Sequence, residues 1–121
     1  MQVGPTGTVV GGDQSRPVGI CESAGDGRTS PEFLELNVYD TGLPAASFDM
    51  VHCRLLLCHS ERPADALREI DRLLKPGGVL VCQDMEISSV FSCPASKAYE
   101  QSIALGHAMG KMFGVNYDFG R

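Results

Sequence analysis

The feature that most constrains this 121-residue sequence is an amphipathic helix that turns abruptly into an apolar strand. Apolar residues recur at helical spacing from Ala66 to Leu74, with charged residues between them. Pro76 cannot continue the helix, and the two glycines after it allow the positive φ values that a tight reversal needs. Residues 79–84 then predict a strand, apolar at four consecutive positions, as expected of a strand covered on both faces. This pattern is typical of an α/β fold.

The other elements extend the same alternation. Strands are predicted at residues 8–13, 33–39 and 47–53, a broken helical piece within 14–31, a helix capped by Ser60 with Pro63 in its first turn, and a last helix at about 95–113. Strands separated by helices indicate a mostly parallel sheet with helices on its faces. Ligands of such sheets bind at the carboxyl ends of the strands. Those ends are at Asp13, Asn37–Asp40, Cys53–Arg54 and Asp84–Glu86.

Charge and composition exclude several classes of function. The net charge is −5 without clustered Lys or Arg, which disfavours nucleic acid and anionic membrane surfaces as partners. No run of about 18 apolar residues is present to span a bilayer. The five cysteines are an odd number and lie mostly in apolar runs, which indicates free thiols and a cytoplasmic location. Cys53, Cys58 and His59 lack a fourth ligand and the spacing of a zinc site, so no metal is expected.

Three segments together resemble a known family. Residues 43–51 (LPAASFDMV), 57–59 (LCH) and 66–80 (ALREIDRLLKPGGVL) are similar, in order and spacing, to class I S-adenosylmethionine-dependent methyltransferases of the small-molecule branch. Residues 7–15 resemble that family's second strand with its terminal acidic residue. The resemblance implies a Rossmann-like fold, S-adenosylmethionine as cofactor and methyl transfer to a small-molecule acceptor.

The resemblance also implies roles for residues that follow the first predicted strand. Asp13 corresponds to the acidic residue that grips the cofactor ribose, since a carboxylate can accept two hydrogen bonds from a diol. Gln14 would face the adenosine. The alternative for Asp13 is a cap on the turn that it forms with Gln14 and Ser15.

The adenine and methionine ends of the cofactor are expected at the next two strand ends. Asn37 with the backbone of Val38 fits the adenine position if the following loop is long, and Tyr39 with Asp40 fits if it is short; Asn37 and Val38 are slightly favoured. Cys53 lies where the family's backbone carbonyls meet the methionine amino group.

Other polar residues are candidates for the acceptor side. Arg54 could clamp a substrate carboxylate or be a plain surface residue. His59 aligns with the family's L-x-H position and could serve the pocket, or form a structural hydrogen bond. As bases for a hydroxyl or amine acceptor, His52 and His107 are weaker, because His52 reads as a core residue of its strand, as Cys82 does, and His107 has no evident partner.

The sequence departs from the family in one respect. The glycine-rich first motif is absent, because Gly4–Gly7 stands too close to the strand ending at Asp13 and follows no apolar strand. Residues 1–121 are therefore expected to form a partial methyltransferase domain whose sheet lacks the first strand and the last antiparallel strands. The alternative function is a non-catalytic methyltransferase-like fragment, which either pairs with a partner chain that completes the sheet or is a truncated remnant. A nicotinamide-dependent enzyme is disfavoured, because no G-x-G-x-x-G precedes Asp13.

Overall fold

The structure is a computed structural model that describes residue 4, residues 6–15 and residues 31–119. The chain divides into two compact units between Gly42 and Leu43. Among the described residues, the first unit holds two strands and the second holds two strands, two helices and two short 3-10 turns. Their bounds are β1 (Val10–Asp13), β2 (Glu32–Glu35), β3 (Phe48–Arg54), the 3-10 turn Leu57–His59, α1 (Pro63–Leu73), β4 (Leu74–Gln83), the 3-10 turn Ile87–Ser89 and α2 (Lys97–Phe113).

The first unit is built on one parallel strand pair. β1 and β2 pair in register from Val10 opposite Glu32 to Asp13 opposite Glu35. The strands approach closely at Gly11, where a Cβ would lie 2.6 Å from ring carbons of Phe33. β2 is shorter than predicted because the chain turns immediately after it. The predicted broken helix falls almost wholly on residues 16–30, outside the described residues.

The second unit is built on another parallel pair, β3 with β4. Phe48 pairs with Leu74, but the next pairs start at Met50 with Val79, so the segment between Leu74 and Val79 bulges out of the ladder. Gly77 in this bulge has a φ of 81°, so the positive φ expected of the glycines is present at the first of the two. Lys75 Nζ lies over the bulge and contacts both carboxylate oxygens of Asp49, at 2.9 and 2.8 Å.

Helix α1 forms the core of the second unit with the turn that precedes it. It begins at Pro63, which was predicted to lie in its first turn, but the proposed N-cap is wrong: Arg62 occupies the N-cap position, and the Ser60 hydroxyl donates to the Leu56 carbonyl at 2.8 Å. The helix also ends at Leu73, so the proline and glycines belong to β4 rather than to the helix end. Its buried side chains join those of β3 and the 3-10 turn in one cluster, made of Cys53, Leu57, Cys58, Ala66, Ile70 and Leu73.

One face of the β3–β4 pair is exposed, contrary to the expectation for β4. Side chains alternate between the faces of a strand, and Met50, Val79 and Val81 are all exposed, Val79 by 50%. His52 is exposed as well, so its expected place in the core is wrong. The pattern of four consecutive apolar residues therefore predicted the strand correctly and its burial incorrectly.

Helix α2 follows the predicted range closely. Ser96 Oγ caps its start by accepting from Tyr99 N at 3.4 Å, and Gly114 ends it in the left-handed conformation. No helix of the described residues is long and apolar enough to cross a membrane. Parallel strands with flanking helices confirm the predicted α/β class, a partial Rossmann-like arrangement in which the described strands form two pairs.

Candidate functional site

Asp13 ends β1 and starts a tight turn. Its Oδ1 accepts from the Ser15 backbone N–H at 2.9 Å and from the Ser15 hydroxyl at 3.0 Å. These two bonds, the backbone one first, lower the pKa of the exposed Asp13 carboxyl. The turn-capping role is thus present, and among the described residues both of these hydrogen bonds go to Oδ1 and not to Oδ2. One carboxylate oxygen can cap the turn while the other faces solvent next to the exposed Gln14.

Asn37 lies at the same edge of the first unit as Asp13. Leu36 N donates to the Asp13 carbonyl at 2.8 Å, so the parallel ladder continues to the residue just before Asn37. Asn37 Oδ1 then accepts from Tyr39 N at 2.9 Å, and the Asn37 carbonyl accepts from Asp40 N at 3.1 Å. Both alternatives for the adenine position therefore belong to one turn. Asn37 stands at its start, beside the strand ends, and Asp40 at its far end.

Cys53 occupies the carboxyl end of β3 in the second unit. It is buried and lies in register with Cys82 of β4, and the two Sγ atoms are 3.1 Å apart. Burial, followed by the hydrogen bond and charge of Cys82 and the charge of Asp84, raises the pKa of Cys53 to about 12. The Cys53 thiol therefore stays protonated at neutral pH. Cys82 was expected in the core, and this is wrong, because its side chain is exposed.

Leu55 gives the end of β3 an unusual backbone. Its φ is 53°, a left-handed value that is uncommon for a residue other than glycine. The conformation is held in place by the Leu55 N–H, which donates to the Gln83 carbonyl at 2.8 Å. Such strained positions cluster at functional sites. Nothing in the sequence signals this one, because leucine has no preference for this conformation. Arg54, directly before it, is exposed.

Asp84 fixes the 3-10 turn that follows β3. Its carboxylate accepts from Cys58 N at 3.1 Å and, more weakly, from Leu57 N at 3.4 Å. Burial and then the side-chain hydrogen bond to Asp84 raise the pKa of Cys58 to about 11. Sequence reasoning placed Asp84 at the rim of the sheet without a role. The signal available was an acidic residue directly after an apolar strand.

His59 is carried on this turn with its side chain exposed. Its ring lies edge-on to the Tyr117 ring, with centroids 5.3 Å apart and planes at 72°. Among the described residues, no three Cys, His, Asp or Glu side chains are arranged to hold a metal ion. His59 and Cys53 are therefore close in the sequence, but among the described residues they do not belong to a set of metal ligands.

His107 has the partners that the sequence did not reveal. Its Nε2 is 3.3 Å from the Ser88 hydroxyl, and its Nδ1 is 3.7 Å from Asp118 Oδ2. Ser88 donates both its backbone N–H and its hydroxyl to Asp118, at 2.8 and 2.6 Å. These hydrogen bonds join the last described segment to the chain after β4. Because the Ser88 hydroxyl donates to the Asp118 carboxylate, the cluster is not arranged as a nucleophile and its base.

A shallow cavity of about 370 Å³ lies at the start of α2. Its lining is mainly apolar and comprises Val90, Phe91, Ser92, Ala95, Tyr99, Glu100 and Ile103. None of the strand-end residues described above contributes to this lining.

Comparison with known proteins gives a consistent result. Residues 2–82 match the family described as "Methyltransferase domain". The chain is 33% identical over 86 residues to an uncharacterized methyltransferase of Schizosaccharomyces pombe, covering 70% of this chain and 30% of that protein. It is 33% identical over 122 residues to the ubiquinone/menaquinone biosynthesis C-methyltransferase UbiE of Pseudomonas fluorescens, covering 91% of this chain and 44% of that protein.

A shorter match is to a rat thiol S-methyltransferase, 47% identical over 38 residues, which are 31% of this chain and 16% of the rat protein. The chain thus matches less than half the length of each of these relatives. The resemblance found in the sequence is confirmed by these matches.

Proposed function

This chain belongs to the methyltransferase domain family, and from that premise we propose that it is part of an enzyme that transfers a methyl group from S-adenosylmethionine to a small-molecule acceptor. The observation that carries the proposal is the placement of Asp13 and Asn37 at one carboxyl edge of a parallel strand pair. Ligands of parallel sheets bind at such edges.

Asp13 fits the ribose of the cofactor. Its Oδ1 is held by Ser15, which fixes the side chain, and its lowered pKa keeps the carboxylate charged at neutral pH. An ionised carboxylate offers acceptors only, as two ribose hydroxyls require. Both lone pairs of Oδ1 are used by Ser15, so the two lone pairs of Oδ2 would accept from the diol, with Gln14 alongside.

Asn37 with the Val38 backbone is the preferred adenine position. Asn37 lies directly beyond the ladder that ends at Asp13, whereas Asp40 lies at the far side of the turn. The Asn37 side-chain oxygen already accepts from Tyr39 N, but an amide oxygen has two lone pairs and its NH₂ group two donors. A hydrogen bond to the adenine amino group is therefore still available.

In the second unit, the segment at the end of β3 is the candidate for the methionine end of the cofactor. The cofactor brings an activated methyl group when bound, so the protein mainly positions and orients the reactants. We assign the amino group of the cofactor to the backbone carbonyls around Cys53. The thiol, protonated at neutral pH, takes no part in this contact. Arg54 and His59, both exposed after β3, are the residues proposed to face the acceptor.

A small-molecule acceptor is supported by the relatives' names. One relative is named for quinone biosynthesis and another for thiol methylation, and both names indicate small organic acceptors. A cytoplasmic location is proposed on the free thiols, since the four described cysteines form no disulfide.

A non-catalytic role with a partner chain is the second candidate. The observation that favours it is the exposed apolar face of β3 and β4, formed by Met50, Val79 and Val81. A chain that pairs through this face should sediment as a complex and should not bind the cofactor alone.

Calorimetric titration with S-adenosylhomocysteine tests the proposed enzyme. We expect saturable binding to the full chain, and an affinity at least tenfold weaker after Asp13→Ala, because one or two hydrogen bonds to a charged acceptor are lost, each contributing about 1.5–3 kcal/mol. Asn37→Ala should weaken binding, and Asp40→Ala is the matched control from the same turn.

Circular dichroism shows whether each variant keeps its secondary structure. Unchanged affinity in folded Asp13→Ala would exclude the ribose assignment. A larger loss in Asp40→Ala than in Asn37→Ala would move the adenine position to the far end of the turn. No binding by the unmodified chain at millimolar ligand would contradict the proposal for this chain.

A further inference from the structure

Cys53 and Cys82 form a thiol pair on neighbouring strands. They are register partners in a parallel ladder, so both side chains project from the same face of the sheet. Their Sγ atoms, 3.1 Å apart, are about 1 Å farther apart than two sulphurs joined by a disulfide bond. Neighbouring strands lie about 4.8 Å apart, which is within the range of Cα separations that a disulfide can bridge.

The two thiols differ in access to solvent. Cys82 is exposed, whereas Cys53 is 7% exposed and packs in the core of the second unit. An external reagent can therefore reach Cys82 first, and Cys53 is next to it without any movement of the backbone. Solvent access and a neighbouring resolving cysteine are two of the features that redox-sensor cysteines share.

We propose that Cys53 and Cys82 are a site of reversible oxidation, at which a low-molecular-weight disulfide such as oxidised glutathione converts the thiol pair to an internal disulfide. This inference does not depend on the proposed methyl transfer, because it rests on the geometry of the two side chains alone.

The exchange takes two steps and balances. The Cys82 thiolate, its proton lost to solvent, attacks one sulphur of the oxidant, forms a mixed disulfide and releases one thiolate. The Cys53 thiolate then attacks the Cys82 sulphur, which forms the Cys53–Cys82 bond and releases a second thiolate. In sum, the two protein thiols lose two electrons and two protons, and the oxidant is reduced to two thiols.

The environment of Cys53 affects the rate of the second step in two opposite ways. Burial and the nearby Asp84 charge keep the pKa of the Cys53 thiol above its ordinary value, so little thiolate is present at neutral pH. Against this, the reaction is intramolecular and the sulphurs are already adjacent, which raises the effective concentration of the attacking group.

The bond would cross-link β3 and β4 just before Arg54 and Asp84. Arg54 is followed by Leu55, which has a left-handed backbone, and Asp84 accepts a hydrogen bond from the 3-10 turn after β3. Oxidation therefore acts at the strand ends assigned above to the methionine end of the cofactor, and any effect on binding there rests on the proposed function.

Mass spectrometry of the full chain in buffers of graded oxidised to reduced glutathione tests the site. Peptide mapping should find a Cys53–Cys82 link, with the loss of two hydrogen atoms, that disappears on reduction. Cys93→Ser is the matched control, because Cys93 is an exposed free cysteine, and it should form the link as the unmodified chain does. Cys82→Ser replaces an exposed residue, should stay folded, and should abolish the link.

Cys53→Ala provides a second, independent readout. Without the resolving thiol, the mixed disulfide at Cys82 should persist and add one glutathione to the chain. The inference is overturned if Cys93 becomes glutathionylated while Cys53 and Cys82 remain unlinked thiols, if Cys82 holds a stable adduct in the unmodified chain, or if the links that form join other cysteines.

Discussion

The two units of this chain contain the same motif, a parallel strand pair, but differ in how many of their described side chains are buried. In the second unit, β3 and β4 are backed by α1, and Cys53, Leu57, Cys58, Ala66, Ile70 and Leu73 are buried together. In the first unit, none of the described residues is buried, and β1 and β2 have four residues each.

This contrast bears on the candidate residues of each unit taken separately. Asp13 and Asn37 are held mainly by backbone hydrogen bonds and local turns, whereas Cys53 and the residues after it are held by a packed core. We therefore expect the free energy of unfolding to depend mainly on the second unit. In the first unit, we expect local electrostatics to determine the conformation of the strand ends.

The largest effect is expected from a cavity in the second unit. Ile70→Ala removes a 4% exposed side chain from the face of α1 that packs in the core, and should lower the free energy of unfolding by about 2–5 kcal/mol. Leu105→Ala on α2, where leucine is 61% exposed, is the control and should change it by about 0.5 kcal/mol or less. Urea unfolding followed by circular dichroism measures both. Equal effects would show that α1 is not the main support.

A smaller loss of stability is expected when the ion pair between Arg72 and Glu69 on α1 is removed. Arg72 donates through Nε and Nη2 to Glu69, at 2.7 and 2.6 Å, and through Nη2 to the Leu43 carbonyl at 2.9 Å. The Glu69 side chain is only 9% exposed, so Arg72→Ala leaves a poorly solvated carboxylate and should cost about 1–3 kcal/mol.

Arg68→Ala is the matched control for that change. Arg68 pairs with Asp65 on the same helix at the same spacing, but its side chain is 75% exposed. Exposed pairs contribute about 0–1 kcal/mol. The same urea experiment compares the two variants, and a loss in Arg68→Ala as large as that in Arg72→Ala would contradict the importance of burial.

The smallest effect is expected at the exposed turn of the first unit. Ser15→Ala removes the hydroxyl bond to Asp13 and keeps the backbone bond, so the lowered pKa of Asp13 should move part of the way back toward its ordinary value. A carboxyl with a depressed folded pKa stabilises the fold above its unfolded pKa. That contribution is lost as the pH falls through the folded pKa. The change should therefore appear only in acid, as a shift in the carboxyl carbon titration of Asp13 by NMR, with Ser47→Ala as control. An unshifted titration would mean that the backbone bond acts alone.

Much of the fold could be predicted because its signals are local. The helical spacing from Ala66 onward, Pro63 in a first helical turn and the glycines after Pro76 are local signals, and α1 and β4 follow from them. The same holds for the strand-end positions of Asp13 and Cys53, whose roles in binding remain predictions. The Ser60 cap was wrong because the helix begins later than expected, with Arg62 at its N-cap, and Ser60 closes the 3-10 turn before it.

The exposure of side chains and the contacts between strands could not be predicted from local sequence signals. His52 and Cys82 stand in apolar strands, yet both are exposed, because burial depends on what packs over a strand and not on the strand itself. The partners of His107 come from residues 19 positions before it in the chain and 11 after it, brought together by the turn beyond β4.

The sequence by itself determined the family, the parallel α/β pattern and the positions of the strand ends, since these depend on residue spacing and on local backbone preferences. Only the tertiary structure decided that Cys53 meets Cys82, that Asp84 holds the turn after β3 and that Leu55 takes a left-handed backbone. Each of those depends on the register between two strands, and register is fixed by packing and hydrogen bonding between segments that are far apart in the chain.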